Sequence, residues 1–143
     1  SGINSRLDSI HAAIVNFRLK KLKLNINSKR RNVNLYRKLI KTNKVKMIKE
    51  KTNERNAYSI FVILCENRDK LQKYLKRFNI ETGVYYKTPI HLYKSTKYLG
   101  YKKNDLPNII KLAQKFISIP IHKNLKFKDI KFVSEKINNF YKD

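Results

Sequence analysis

Two short segments combine residue types that could bind a ligand or handle its protons. The first is Gly83-Val84-Tyr85-Tyr86-Lys87-Thr88-Pro89-Ile90-His91. Two phenols and an imidazole leave the end of an expected strand together, a common position for ligand contacts. The second is Gly2-Ile3-Asn4-Ser5-Arg6-Leu7-Asp8. Its Asn, Ser and Arg open a helix, where free backbone N–H groups favour an anion. On local features alone the second segment also fits a capped helix with a surface arginine. The first also fits one packed tyrosine among exposed neighbours.

Other chemistries are poorly supplied. No glycine-rich strand-to-helix turn is present to cradle a phosphate. His11, His91 and His122 lie far apart and show no metal-ligand spacing. Cys65 is the single cysteine, so the chain holds neither a disulfide framework nor a cysteine zinc site. It ends an apolar run, which reads as structural burial rather than a nucleophile. His11 reads as a packing or surface residue.

Around these segments the hydrophobic pattern sets out the elements. Leu7, Ile10, Ile14, Phe17 and Leu24 step by helical intervals, interrupted by Lys21, and Val33, Tyr36 and Ile40 continue the pattern. We read one long helix over about residues 5–41, bent near Asn25-Ile26-Asn27, with Ser5 or Asn4 as its cap and Asp8 in its first turn. At about 1.5 Å per residue it would reach ~55 Å, too long to bury within one small domain. Residues 42–56 are polar and read as a connection. Tyr58 to Leu64 is a nearly continuous apolar run, as in a central strand. A helix opening at Asn67 presents Leu71, Tyr74, Leu75 and Phe78 and stops at Asn79. Residues 82–86 read as a short strand. Asp105 and Pro107 start another helix, Ser118–Ile121 is extended with Pro120 at its end, and Ile130, Val133, Ile137 and Phe140 mark a last amphipathic helix. Helices alternating with short strands predict a small three-stranded sheet with helices packed on it, of class α+β or α/β.

The chain has 143 residues and a formal net charge of +24. That charge invites a polyanion partner. The basic residues are 26 Lys against 8 Arg, however, and Asn and Ile are abundant too. A base-composition bias toward AT-rich codons explains all three, and arginine, not lysine, supplies bidentate readout. The charge is also spread along the whole chain rather than gathered in one tail. A stand-alone basic module binding nucleic acid or another polyanion is therefore the alternative reading, not the first. The longest apolar run, Ile60 to Cys65, is far short of the roughly 20 residues of a membrane-crossing helix.

Taken in order, several segments resemble the C-terminal part of the DegT-type nucleotide-sugar aminotransferases, pyridoxal-phosphate enzymes of the aspartate-aminotransferase fold type. The resemblance begins at Gly2-Ile3-Asn4-Ser5-Arg6-Leu7-Asp8. It runs through Arg68-Asp69-Lys70-Leu71, Gly83-Val84-Tyr85-Tyr86, Pro89-Ile90-His91-Leu92, Leu99-Gly100-Tyr101 and Asp105-Leu106-Pro107. It ends with Ser118-Ile119-Pro120-Ile121-His122 and the last helix. It implies that Asn4 reaches the cofactor phosphate of a partner subunit, that Arg6 lies near that cross-subunit site, and that Tyr85, Tyr86 and His91 line the sugar-nucleotide pocket. It further implies a cytoplasmic homodimer that takes its amino group from a donor such as glutamate.

The family's Schiff-base lysine lies in an upstream large domain. On this resemblance the chain is a fragment, inactive by itself: an inter-domain helix at 1–41 followed by a small domain at 42–143.

Overall fold

A computed structural model describes residues 7–142. Five α-helices and three strands follow in the order α1 (Ser9–Leu19), α2 (Leu22–Leu39), β1 (Val45–Met47), β2 (Phe61–Cys65), α3 (Arg68–Lys76), α4 (Pro107–Ala113), β3 (Phe116–Ile119) and α5 (Phe127–Phe140), with 3-10 turns at Ile90–Leu92 and Lys94–Leu99. The sheet order is β1-β2-β3 and both pairings are antiparallel. The class is α+β, with β2 central as its apolar run implies.

Side chains alternate across the strands, so Phe61, Ile63 and Cys65 share one face with their partners Ile119, Ile117 and Val45. All six are buried. Against this face pack Val33 and Tyr36 of α2, Leu71 and Leu75 of α3, and Ile130, Val133 and Ile137 of α5. Polar bonds lock the helices in place. Asn138 of α5 accepts from the amide of Lys41 at 2.9 Å and donates to the Leu39 carbonyl at 2.8 Å, closing the C-terminal end of α2. Asn32, buried on α2, donates to the His122 carbonyl at 3.0 Å.

The expected single helix is two. Arg18, Lys20, Lys21 and Lys23 crowd one turn, and like charges three apart oppose continuation. The chain kinks there, with the Lys21 amide bonded back three residues to Arg18. The expected bend at Asn25-Ile26-Asn27 is absent: Asn25 donates to the Lys21 carbonyl and α2 runs through. Asp8 is the cap rather than a first-turn residue; it accepts from the His11 amide at 2.9 Å and contacts the His11 ring at 2.8 Å. The alternative caps, Asn4 and Ser5, lie outside the described residues.

Two strand assignments also change. Residues 82–86 contribute only a single bridge, Gly83 to Ser118, and Tyr85 and Tyr86 lie in a turn. The third strand comes instead from the polar connection, where Val45 and Met47 flank Lys46. Three residues, one of them Lys46, preceded by Lys44, carry too little periodicity to read as a strand without the partner.

Arg68, only 4% exposed, joins three elements. Its guanidinium donates to the carbonyls of Ala113 and Phe116, each at 3.1 Å, and to Asp69 at 2.7 Å. It thereby ties α3 to the end of α4 and the start of β3. Arg68→Ala leaves two carbonyls without that donor. It should cost about 3 kcal/mol in urea unfolding, and a loss under about 0.5 kcal/mol would contradict the assignment.

Arg30 on α2 grips Glu50 through both guanidinium nitrogens, at 2.5 and 2.8 Å, and so holds the β1–β2 connection. The Arg30 fork first, then the Asn56 amide, bring the Glu50 carboxyl down to about 2. Its folded pKa lies below its ordinary value of 4.5, so this stabilisation is complete above 4.5 and fades as pH falls toward 2. Thermal melts of the wild type and Glu50→Gln should differ at pH 7 and converge in strong acid. A gap that stays constant with pH would contradict this.

Candidate functional site

The turn after α3 begins at Asn79, which takes the left-handed conformation at φ 56°. Gln72 steadies the turn by donating to the hydroxyl and carbonyl of Thr82. Gly83 then exchanges two backbone bonds with Ser118, at 3.0 and 2.8 Å, and the chain leaves the sheet. The bare Cα of Gly83 lets the Tyr85 ring fold back over it; an added Cβ would sit 2.9 Å from that ring.

Tyr85 thereby forms one wall of a cleft of about 950 Å³. The first half of α5 lines the same cleft with Lys128, Asp129 and Phe132, and His122 and Phe78 line it too. Aromatic rings beside hydroxyl, carboxylate and imidazole groups suit a hydroxylated, partly apolar ligand. Asp129 accepts from the Lys126 amide at 2.9 Å, which caps α5 and sets the carboxylate at the cleft edge. In the core the Tyr36 hydroxyl is buried without a partner. Desolvation, with the charge of Asp129 adding to it, pushes its pKa well above the ordinary phenol value.

The expected trio is therefore divided. Tyr85 lines the cleft, whereas Tyr86 and His91 do not. Tyr86 is 64% exposed in the turn. His91 lies beyond it, its ring 6.4 Å from that of Tyr101 in an edge-on arrangement and its Nε2 buried without a partner. Asn4 and Arg6 lie outside the described residues. His122, Asp129 and Phe132 were not read from the sequence as cleft residues, because they reach the cleft only through the packing of α5 and of the turn after β3.

Among the described residues no group of His, Cys, Asp and Glu could hold a metal ion. Cys65 is buried, and desolvation raises its thiol pKa. No helix among the described residues is long and apolar enough to cross a membrane.

The model of the DegT/DnrJ/EryC1/StrS aminotransferase family matches residues 1–138. The chain belongs to that family. Its relatives include the pleiotropic regulatory protein of Geobacillus stearothermophilus, 33% identical over 99% of this chain and 39% of the relative. The dTDP-3-amino-3,6-dideoxy-alpha-D-galactopyranose transaminase of Aneurinibacillus thermoaerophilus is 26% identical over 97% of this chain and 38% of its own length. A solved family aminotransferase from Brucella abortus superposes with a TM-score of 0.88 at 30% identity, covering 99% of this chain and 38% of that one. The chain thus spans about two-fifths of the length of these relatives.

Pyridoxal phosphate, the family's cofactor, needs an enclosed lysine whose amine is held uncharged by desolvation or a neighbouring cation. None of the 26 lysines is buried, and all but Lys29 and Lys136 are exposed. The described residues do not by themselves fit the cofactor.

Gly83→Ala should leave the fold intact, because only a side chain obstructs the added methyl. It should displace the Tyr85 ring from the cleft wall, visible as changed Tyr85 aromatic shifts with little change in melting temperature. Unmoved Tyr85 resonances would contradict this account of the wall.

Proposed function

We propose that the chain is the C-terminal part of a pyridoxal-phosphate aminotransferase that converts a nucleotide-linked keto-sugar to an amino-sugar in the cytoplasm, feeding surface polysaccharide synthesis. The observation that carries this reading is α1. Seven of its eleven residues are apolar, with Ile10, Ile14, Val15, Phe17 and Leu19 exposed and none of its residues buried. A helix of that kind is covered in the working protein. A large domain, absent from this chain, and a second subunit supply the cover. The chain's length relative to its relatives supports the same division.

In this reading the cofactor sits mainly on the large domain, which also provides the Schiff-base lysine. Asn4 reaches the cofactor phosphate of the partner subunit and Arg6 lies beside it. Tyr85, with Asp129 and His122 of the same cleft, orients hydroxyl groups of the sugar. Tyr86 and His91 contact the substrate from the adjoining turn, and the amino group comes from glutamate. No step of amino transfer is assigned to the lysines of this chain.

The test is direct. The 143-residue chain, incubated with pyridoxal phosphate and reduced with borohydride, should give no stoichiometric adduct at any one lysine. A single-site stoichiometric adduct would overturn the division of labour.

A further inference from the structure

Basic residues occur along the whole chain, but the carboxylates that offset them do not. Residues 9–49 hold thirteen Lys and Arg and no carboxylate, so more than half of the net +24 falls in less than a third of the sequence. Codon bias raises lysine everywhere; it does not empty one stretch of Asp and Glu. At the centre of that stretch is α2, which carries Arg30, Arg31 and Arg37, three of the eight arginines.

One side of α2 is buried, through Asn32, Val33 and Tyr36. The other side is open. Lys23, Asn27, Arg31, Asn34 and Lys38 are all exposed and follow one another at intervals of four, four, three and four, so they share one outer stripe. Over fifteen residues it extends about 22 Å. Asn27, Arg31, Asn34 and Lys38 also line one shallow depression. Unlike α1, this face is polar and charged, as suits a surface that stays in water.

Among the described residues Lys23, Arg31 and Lys38 form no ion pair. Glu50, which bonds to α2, is already held by both nitrogens of Arg30. Glu54, farther along the same connection, accepts from the Lys51 amide at 3.0 Å. The two asparagines are held in place from the flanks. Arg55 donates to the Asn27 side chain at 3.0 Å, and Arg37 donates to that of Asn34 at 3.3 Å. Fixed amides thus alternate with cations along a rigid helix. Arginine and asparagine are the side chains that match guanine and adenine edges, and lysine meets phosphate.

What the stripe lacks narrows the partner. The only aromatic residue of α2, Tyr36, is buried, so the outer face offers no ring for an unpaired base to stack on. The major groove of duplex RNA is too deep and narrow for side chains to read. That of duplex DNA is about 12 Å wide and admits a helix about 10–12 Å across.

We infer that the outer face of α2 is a contact for duplex DNA, with Lys23, Arg31 and Lys38 neutralising phosphates and Asn27 and Asn34 set toward the major groove. This contact is independent of the aminotransferase reading and gives the chain a second activity.

The probes are a DNA duplex of two helical turns, about 20 base pairs, one of its strands alone, and an RNA duplex of the same sequence. Each is end-labelled and titrated with the 143-residue chain while fluorescence anisotropy is read. The expected result is micromolar binding of the DNA duplex at about 100 mM salt, roughly tenfold tighter than either of the other two. Arg31→Gln combined with Lys38→Gln, both at exposed positions, should leave the melting temperature unchanged. It should weaken duplex binding by about tenfold and flatten the logarithmic salt slope by roughly 2. Lys94→Gln combined with Lys97→Gln removes the same charge away from α2 and should change the affinity by less than about twofold.

Equal affinity for the single strand or the RNA duplex would overturn the assignment. So would an equal loss in the two double variants, which would mean attraction to net charge alone. No binding of the DNA duplex at about 50 mM salt would overturn it as well. None of these outcomes touches the aminotransferase reading, which the lysine adduct tests.

Discussion

The molecule depends on one buried surface, the face of the sheet formed by Phe61, Ile63, Cys65, Ile117 and Ile119. Two helices from opposite ends of the chain, α2 and α5, close over it, and α3 completes the cover. Each of these side chains contributes roughly 1.5–3 kcal/mol on full burial. The polar bonds serve mainly to fix how the cover sits: Asn138 at the end of α2, Asn32 under the turn after β3, and Arg68 between α3, α4 and β3. That arrangement brings Asp129 and Phe132 into the same cleft as Tyr85. The cleft follows from the core packing rather than from any local motif.

The exposed parts have a different logic. Ser9–Leu19 is as apolar as a core helix, yet the sheet is already covered and offers it no partner. The kink at Lys20-Lys21 marks the change from an arm with no buried residue to a helix whose Asn32, Val33 and Tyr36 are buried. The segment from Tyr85 to Lys103 is polar, aromatic and basic, and it is braced by Thr96 and Gly100 rather than by a core. Both features are surfaces that the core of this chain does not cover.

Much of the fold was legible in the sequence because burial leaves a period. The central strand, the α3 and α5 helices, Asn79 past the end of α3 and Pro107 as a helix start all follow from the residue types, although the strand runs Phe61–Cys65 rather than from Tyr58, which takes φ 46°. Failures came where tertiary pairing or crowded charge decides. Val45–Met47 is a strand only because β2 pairs with it, and Val84-Tyr85-Tyr86, β-rich by composition, is turned out of the sheet. The apolar stripe that suggested one helix is interrupted only at Lys21, whereas the kink follows from four basic residues, Arg18, Lys20, Lys21 and Lys23, together. For the site, Tyr85 lines the cleft, but His122 and Asp129, which line it too, stand more than thirty residues away in sequence and come to it only through packing. The chain's family was legible because an ordered series of short motifs survives where any one of them is weak, and the match over residues 1–138 agrees with it.

The central claim is that stability resides in the α2–α5–sheet unit and that α1 contributes nothing to it. Amide hydrogen exchange on the dilute 143-residue chain measures this residue by residue. The account predicts protection near the global limit for Asn32–Ile40, Phe61–Cys65 and Ile130–Ile137, and almost none for Ser9–Leu19. Protection of Ser9–Leu19 equal to that of α2 would contradict it.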